Sequence, residues 1–140
     1  MEQTRSLFSA HERRCRVLVV EDDRDTREAL LDVLTDAAYD VTTVGHGAEA
    51  LALLREDGER PCAIVLDLMM PVMDGREFRR HQQCDPSLSS IPLIVLTAHA
   101  DREGGAMTVH GGTCLRKPVE LDDLLGNVAA VCGTACRRHG

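Results

Sequence analysis

At 140 residues with a formal net charge of −7, the chain fits one domain, and its acidic balance argues against the broad attraction to nucleic-acid phosphates or anionic lipid that a basic surface provides. Aromatic residues make up only 2% (Phe8, Tyr39 and Phe78), so aliphatic packing by Ala, Val and Leu must supply most of the core. No apolar run approaches the roughly 18–20 residues needed to cross a bilayer, and residues 1–14 lack the apolar stretch of a signal peptide, which points to a cytoplasmic protein.

In chain order, residues 1–14 mix Glu, Gln, Arg, Ser and His without a period and read as a flexible leader. The domain is expected over residues 15–133, with 134–140 as a short tail. Apolar runs at Val17–Val20, Val41–Val44, Ala63–Leu66 and Leu93–Leu96 have the Val, Ile and Leu content of strands covered on both faces, and Thr113–Arg116 offers a fifth. Helical spacing lies between them. Ala29, Leu30, Val33 and Leu34 share one face, with Asp25-Thr26 as the expected cap; Ala48, Leu51, Ala52 and Leu54 share another, opened by Gly47 and ended by Gly58-Glu59-Arg60-Pro61. Leu121–Val131 forms the last amphipathic helix. The β-α order predicts an open, doubly wound α/β fold with a five-stranded parallel sheet and five helices.

In such sheets ligands bind outside the carboxyl ends of the strands, near the topological switch point. The residues that end the proposed strands are Glu21-Asp22-Asp23, Asp67, Thr97-Ala98 and Lys117-Pro118. One acid at a strand end is ordinarily a turn residue or a cap. Three carboxylates gathered from Glu21, Asp22 and Asp67 repel one another unless a cation or a retained proton intervenes, and an all-oxygen set favours a hard ion such as Mg²⁺. Lys117 adds a fixed positive charge and Thr97 a hydroxyl donor. The combination describes a phosphoryl site in which a carboxylate takes up the phosphoryl group.

These motifs resemble the receiver domain of two-component response regulators across residues 15 to 133. They are Val17-Leu18-Val19-Val20-Glu21-Asp22-Asp23, Ile64-Val65-Leu66-Asp67-Leu68-Met69-Met70-Pro71-Val72-Met73-Asp74-Gly75, Pro92-Leu93-Ile94-Val95-Leu96-Thr97-Ala98 and Lys117-Pro118. Their separations of 45, 30 and 20 residues, from Asp22 to Asp67 to Thr97 to Lys117, make the joint pattern far more specific than any one motif.

The resemblance implies a flavodoxin-like sheet and Asp67 as phosphoacceptor. It implies Mg²⁺ held by Glu21, Asp22, Asp67 and the Met69 backbone carbonyl, with Asp23 spare and leading into the first helix. Thr97 would be the switch hydroxyl, Lys117 would pair with the phosphate, and Lys117-Pro118 would be cis. Met69 and His99 occupy the positions expected to tune dephosphorylation, with a lean toward a phosphoryl group that persists for minutes or more. The implied partners are a histidine kinase or histidine phosphotransfer protein and a downstream protein effector, or an effector domain in a larger protein. A second copy of the chain is a further candidate, and neither nucleic acid nor membrane is a direct partner. The implied role is regulatory rather than that of a turnover enzyme. The competing readings are a degenerate receiver that serves only as a binding module and a Mg²⁺-dependent aspartyl-nucleophile phosphohydrolase; Met69 stands where the latter commonly carries a second acid.

Two departures from the family pattern stand out. Cys114 replaces the signalling aromatic three residues before the lysine, so a swinging ring is not available there. Gly104, Gly105, Gly111 and Gly112 fall in a shortened stretch between Thr97 and Lys117, where they either fray a short, mobile fourth helix or shorten a loop. The six cysteines, Cys15, Cys62, Cys84, Cys114, Cys132 and Cys136, are expected to be reduced packing residues, and the Cys132-x-x-x-Cys136 pair lacks the second ligand pair of a zinc site. The six histidines (His11, His46, His81, His99, His110 and His139) show no metal-ligand spacing and read as surface residues.

Overall fold

Alternation of apolar side chains along short β-branched runs lets both faces of a sheet be covered, and the computed structural model shows how this chain uses it. It describes residues 15–57, 60–67, 75–97 and 113–139. The elements in order are β1 (Arg16–Val20), α1 (Arg24–Asp36), β2 (Asp40–Val44), α2 (Gly47–Asp57), β3 (Ala63–Asp67), α3 (Gly75–Cys84), β4 (Leu93–Thr97), β5 (Thr113–Arg116) and α4 (Leu121–His139). The five strands form one parallel sheet in the order β2-β1-β3-β4-β5. Each strand lies within one residue of its expected bounds. Four helices stand among the described residues; the stretch expected to hold the fourth crossover helix lies outside them.

The two faces divide the core by strand parity. Leu18, Val20, Ile64, Leu66, Leu93, Val95 and Cys114 meet Ala50, Leu51 and Leu54 of α2 and Phe78 of α3. Val17, Val19, Ala63, Val65, Ile94 and Leu96 meet Leu30 and Leu34 of α1 and Leu124, Val128 and Cys132 of α4. Each fully buried side chain of this size contributes about 1.5–3 kcal/mol, which fixes the register because a one-residue slip would exchange the two faces. Buried Gln82 of α3 donates through Nε2 to the carbonyls of Leu88 and Ile91, 2.9 and 3.1 Å away, and so pins the connection that feeds β4.

Three local expectations need correction. The cap of α1 is Asp23, not Asp25-Thr26: its carboxylate accepts from the Thr26 N–H at 2.9 Å and from the Thr26 hydroxyl at 2.7 Å, which holds its pKa below the ordinary value. The buried stripe of α2 runs through Gly47, Ala50, Leu51 and Leu54, while Ala48 and Ala52 are exposed; alanine is too small for its pattern to fix a helix face. The final helix continues to His139 rather than ending at Val131.

The cysteines also differ from expectation. Cys62, Cys84, Cys114 and Cys132 form no disulfide, but Cys15 is disulfide-bonded. Burial, with further contributions from neighbouring Cys62, pushes the Cys132 thiol up to about 12.

Helix α1 ends in a Schellman arrangement: Tyr39 N–H donates to the Leu34 carbonyl at 3.1 Å and Ala38 N–H to that of Thr35 at 2.9 Å. The left-handed residue there is Ala38, with φ of 74°, where glycine is the usual occupant. A non-glycine residue in this region costs about 1–2 kcal/mol, partly offset by the greater unfolded-state freedom of glycine. Ala38→Gly is therefore expected to stabilise the protein by about 0.5–1 kcal/mol in urea unfolding. Unchanged or lower stability would contradict this account of the cap.

Candidate functional site

The chain leaves β1 for β2 on one side and returns to β3 on the other, so the switch point lies between the carboxyl ends of β1 and β3. Two of the expected residues are delivered there directly by the strand ends. Asp67 is the last residue of β3, paired with Leu96, and Glu21 follows β1 with its N–H donating to the Val44 carbonyl at 3.1 Å. Thr97 closes β4 opposite Arg116. Lys117 follows β5, and its N–H donates to the Thr97 carbonyl at 2.8 Å. The Lys117-Pro118 bond is cis, as the resemblance implies.

Burial gives this edge its character. Glu21 is 0% exposed, Thr97 1% and Asp67 4%, whereas Asp22 faces solvent. Carboxylate oxygens of Glu21, Asp22 and Asp67 all lie within 4.8 Å of one another. Lys117 reaches into this group: its Nζ donates to Glu21 Oε1 at 3.2 Å and stands 3.4 Å from Asp67 Oδ1. One ammonium thus faces two buried carboxylates.

The electrostatic consequences follow from that count. Burial, together with the hydrogen bond and charge of Asp67, outweighs the Asp23 N–H and the Lys117 charge, and raises Glu21 from 4.5 to about 7. Burial alone would lower Lys117, but the charges of Asp67 and Glu21 and their hydrogen bonds prevail, so its pKa is raised. Among the described residues the donor set is compact, all oxygen and short of positive charge, and it therefore fits a hard divalent cation.

Two supports of the site carry no simple motif. Asp23 N–H donates to Glu21 Oε2 at 3.1 Å, and Arg27 Nη1 donates to the Glu21 backbone carbonyl at 3.0 Å. The Arg27 contact spans six positions and needs the turn of α1; an arginine in the first turn after an acidic run is its only trace in sequence. Cys114 is buried in β5 beside Val95 and belongs to the core rather than the edge. Met69 and His99 lie outside the described residues.

This fold gathers an acidic cluster suited to a hard cation at the switch point of a doubly wound sheet, and comparison with known proteins gives its family. Residues 17–129 match the response regulator receiver domain family. The chain belongs to that family. It is 40% identical over 119 residues to the response regulator MprA of Mycolicibacterium vanbaalenii, covering 83% of this chain and 49% of that protein. It is 39% identical to MprA of Mycobacterium avium over 83% of this chain and 50% of that protein. The chain thus spans about half the length of the curated relatives it matches. Among solved structures, chemotaxis protein CheY4 of Vibrio cholerae superposes with a TM-score of 0.75 at 30% identity, covering 84% of this chain and 98% of that one. The receiver domain of the Pseudomonas aeruginosa sensor histidine kinase PA1611, described with a magnesium ion coordinated in its active-site cleft, gives 0.77 at 26% identity over 86% of this chain and 98% of that one.

Because folded Glu21 holds its proton more tightly than the unfolded chain does, its favourable contribution is complete below pH 4.5 and is lost as pH rises through about 7. In the absence of divalent ions, Asp67→Asn is expected to raise stability at about pH 8 by about 1–2 kcal/mol, because it removes one of two crowded charges. Lys117→Ala is expected to lower it by about 1–3 kcal/mol, and by less at about pH 5.5, where Glu21 keeps its proton. Urea unfolding at both pH values checks this. Shifts of the same sign, or no dependence on pH, would contradict it.

Proposed function

We propose that Asp67 accepts a phosphoryl group from a histidine kinase or histidine phosphotransfer protein, and that this changes the affinity of the receiver for its output partner. The observation that carries the reading is the meeting of Glu21, Asp22, Asp67 and Lys117 at the switch point of a receiver fold. An Asp67 carboxylate oxygen attacks the phosphorus of a phosphohistidine. The P–O bond forms as the P–N bond breaks, and the histidine nitrogen leaves with the electron pair. The product is an acyl phosphate, which water later cleaves at phosphorus to restore Asp67.

Each side chain has a part. Lys117 exchanges its contact with Asp67 Oδ1 for a phosphoryl oxygen, and Thr97 donates its hydroxyl to another. Glu21, Asp22 and Asp67, together with the Met69 carbonyl, would hold Mg²⁺, which supplies the positive charge that one lysine cannot provide alone. Met69 and His99, at the positions that tune dephosphorylation in this family, set how long the phosphoryl group persists. The role is regulatory, with self-phosphorylation and self-dephosphorylation rather than turnover of a substrate pool. Output passes to a separate protein effector or to an effector domain of a larger protein.

Incubation with acetyl phosphate and Mg²⁺, followed by intact-mass analysis, tests the assignment. Wild type is expected to gain one phosphoryl group, and Asp67→Asn or chelation of Mg²⁺ to abolish it. No adduct with acetyl phosphate, phosphoramidate or a phosphorylated histidine donor would favour a binding module without phosphoacceptor chemistry.

A further inference from the structure

The amino end of the sheet, opposite the acidic edge, carries a second cluster of ligand-bearing side chains. The sulfurs of Cys15, Cys62 and Cys132 all lie within 4.8 Å of one another. Cys15 immediately precedes β1, Cys62 precedes β3, and Cys132 projects from α4 into the same face of the core. Backbone pairing fixes the first two: the Cys62 N–H donates to the Arg16 carbonyl at 2.7 Å. Cys15 Sγ also stands 3.4 Å from the Cys132 carbonyl oxygen, tying the start of the sheet to α4.

Packing alone does not require three sulfurs in contact, since alanine or valine would serve among Val17, Ala63, Leu34 and Val128. Three cysteine sulfurs converging from three separate elements on a preformed scaffold match, once reduced and deprotonated, the donor preference of a soft, thiolate-seeking cation, and no carboxylate or imidazole belongs to the cluster among the described residues. Cys62 and Cys132 are buried, while Cys15 is partly exposed and provides a route for an ion from solvent. Cys15 is disulfide-bonded, which withholds one of the three donors.

We propose that Cys15, Cys62 and Cys132 form a redox-gated site for a thiophilic cation such as Zn²⁺, independent of the acidic edge. A dithiol reductant transfers two electrons and two protons to the Cys15 disulfide, cleaving its S–S bond and freeing the Cys15 thiol. The cation then enters as the three thiols release their protons, forming three metal–sulfur bonds. An oxidised small-molecule disulfide reverses the sequence by thiol–disulfide exchange: it takes up the two electrons and leaves as two thiols, the Cys15 disulfide closes, Cys62 and Cys132 regain protons from solvent, and the ion leaves. Bound metal clamps β1, β3 and α4 together at the end of the domain remote from Asp67.

Cobalt(II) serves as the spectroscopic probe, with excess Mg²⁺ present to occupy the carboxylates. The reduced wild type is expected to bind one equivalent with a near-ultraviolet thiolate-to-cobalt charge-transfer band. Cys84→Ser, which alters an exposed thiol outside the cluster, is expected to bind equally well. Cys62→Ser should weaken binding about tenfold or more, and the protein before reduction should show no band. Absence of the band in reduced wild type, an unchanged band in Cys62→Ser, or an equal band before reduction would overturn the proposal. Alkylation of the reduced wild type needs no variant: Zn²⁺ is expected to slow iodoacetamide labelling of the partly exposed Cys15 about tenfold or more and leave Cys84 unaffected. Equal labelling with and without Zn²⁺ would also overturn it.

Discussion

Among the described residues, one lysine ammonium faces two buried carboxylates, and this is the interaction on which the acidic edge depends. Lys117 lies within 3.4 Å of Asp67 and 3.2 Å of Glu21, and both acids sit where water has almost no access. An unpaired buried charge costs several kcal/mol, and one cation cannot offset two anions fully. The fold accepts this imbalance by letting Glu21 retain its proton to about pH 7. Among the described residues the site is under-neutralised, and a divalent cation bound there would change the balance of every contact in it.

The parallel sheet makes that imbalance possible. Strands β1, β3 and β4 are buried on both faces, so their carboxyl ends open into one crevice with little freedom to move apart. Asp67 opposes Leu96 in the ladder, Thr97 follows directly, and the Lys117 amide is bonded to the Thr97 carbonyl. A shift of Lys117 or Thr97 therefore acts on neighbouring rungs of one ladder. Cys114, where an aromatic ring is usual, opposes Val95 and belongs to the α2/α3 face of the core. Any signal through it must take the form of repacking rather than a ring swing.

Most of the fold was legible because its pattern is local. The apolar runs of Val17–Val20, Ala63–Leu66 and Leu93–Leu96 have no reading as amphipathic surface, and with a doubly wound parallel sheet inferred from them, the rule that ligands bind at the carboxyl ends of the strands brings Glu21, Asp22, Asp67, Thr97 and Lys117 to one edge. What escaped depended on alternatives of nearly equal local merit or on tertiary contacts. Asp23 and Asp25 are both good caps, and only the structure shows that Asp23 caps while its amide also supports Glu21. The alanines of α2 gave no reliable face. Arg27 reaches Glu21 only after α1 has turned, and Cys15, Cys62 and Cys132 are separated by 47 and 70 positions, with no spacing that announces their meeting.

The most direct measurement is a side-chain carboxyl NMR titration of Glu21 in the protein without divalent ions, repeated with saturating Mg²⁺. If a lone lysine under-neutralises the pocket, Glu21 titrates near pH 7 in the first case and well below that in the second. A Glu21 midpoint near the ordinary 4.5 without Mg²⁺, or one that Mg²⁺ leaves in place, would contradict the account.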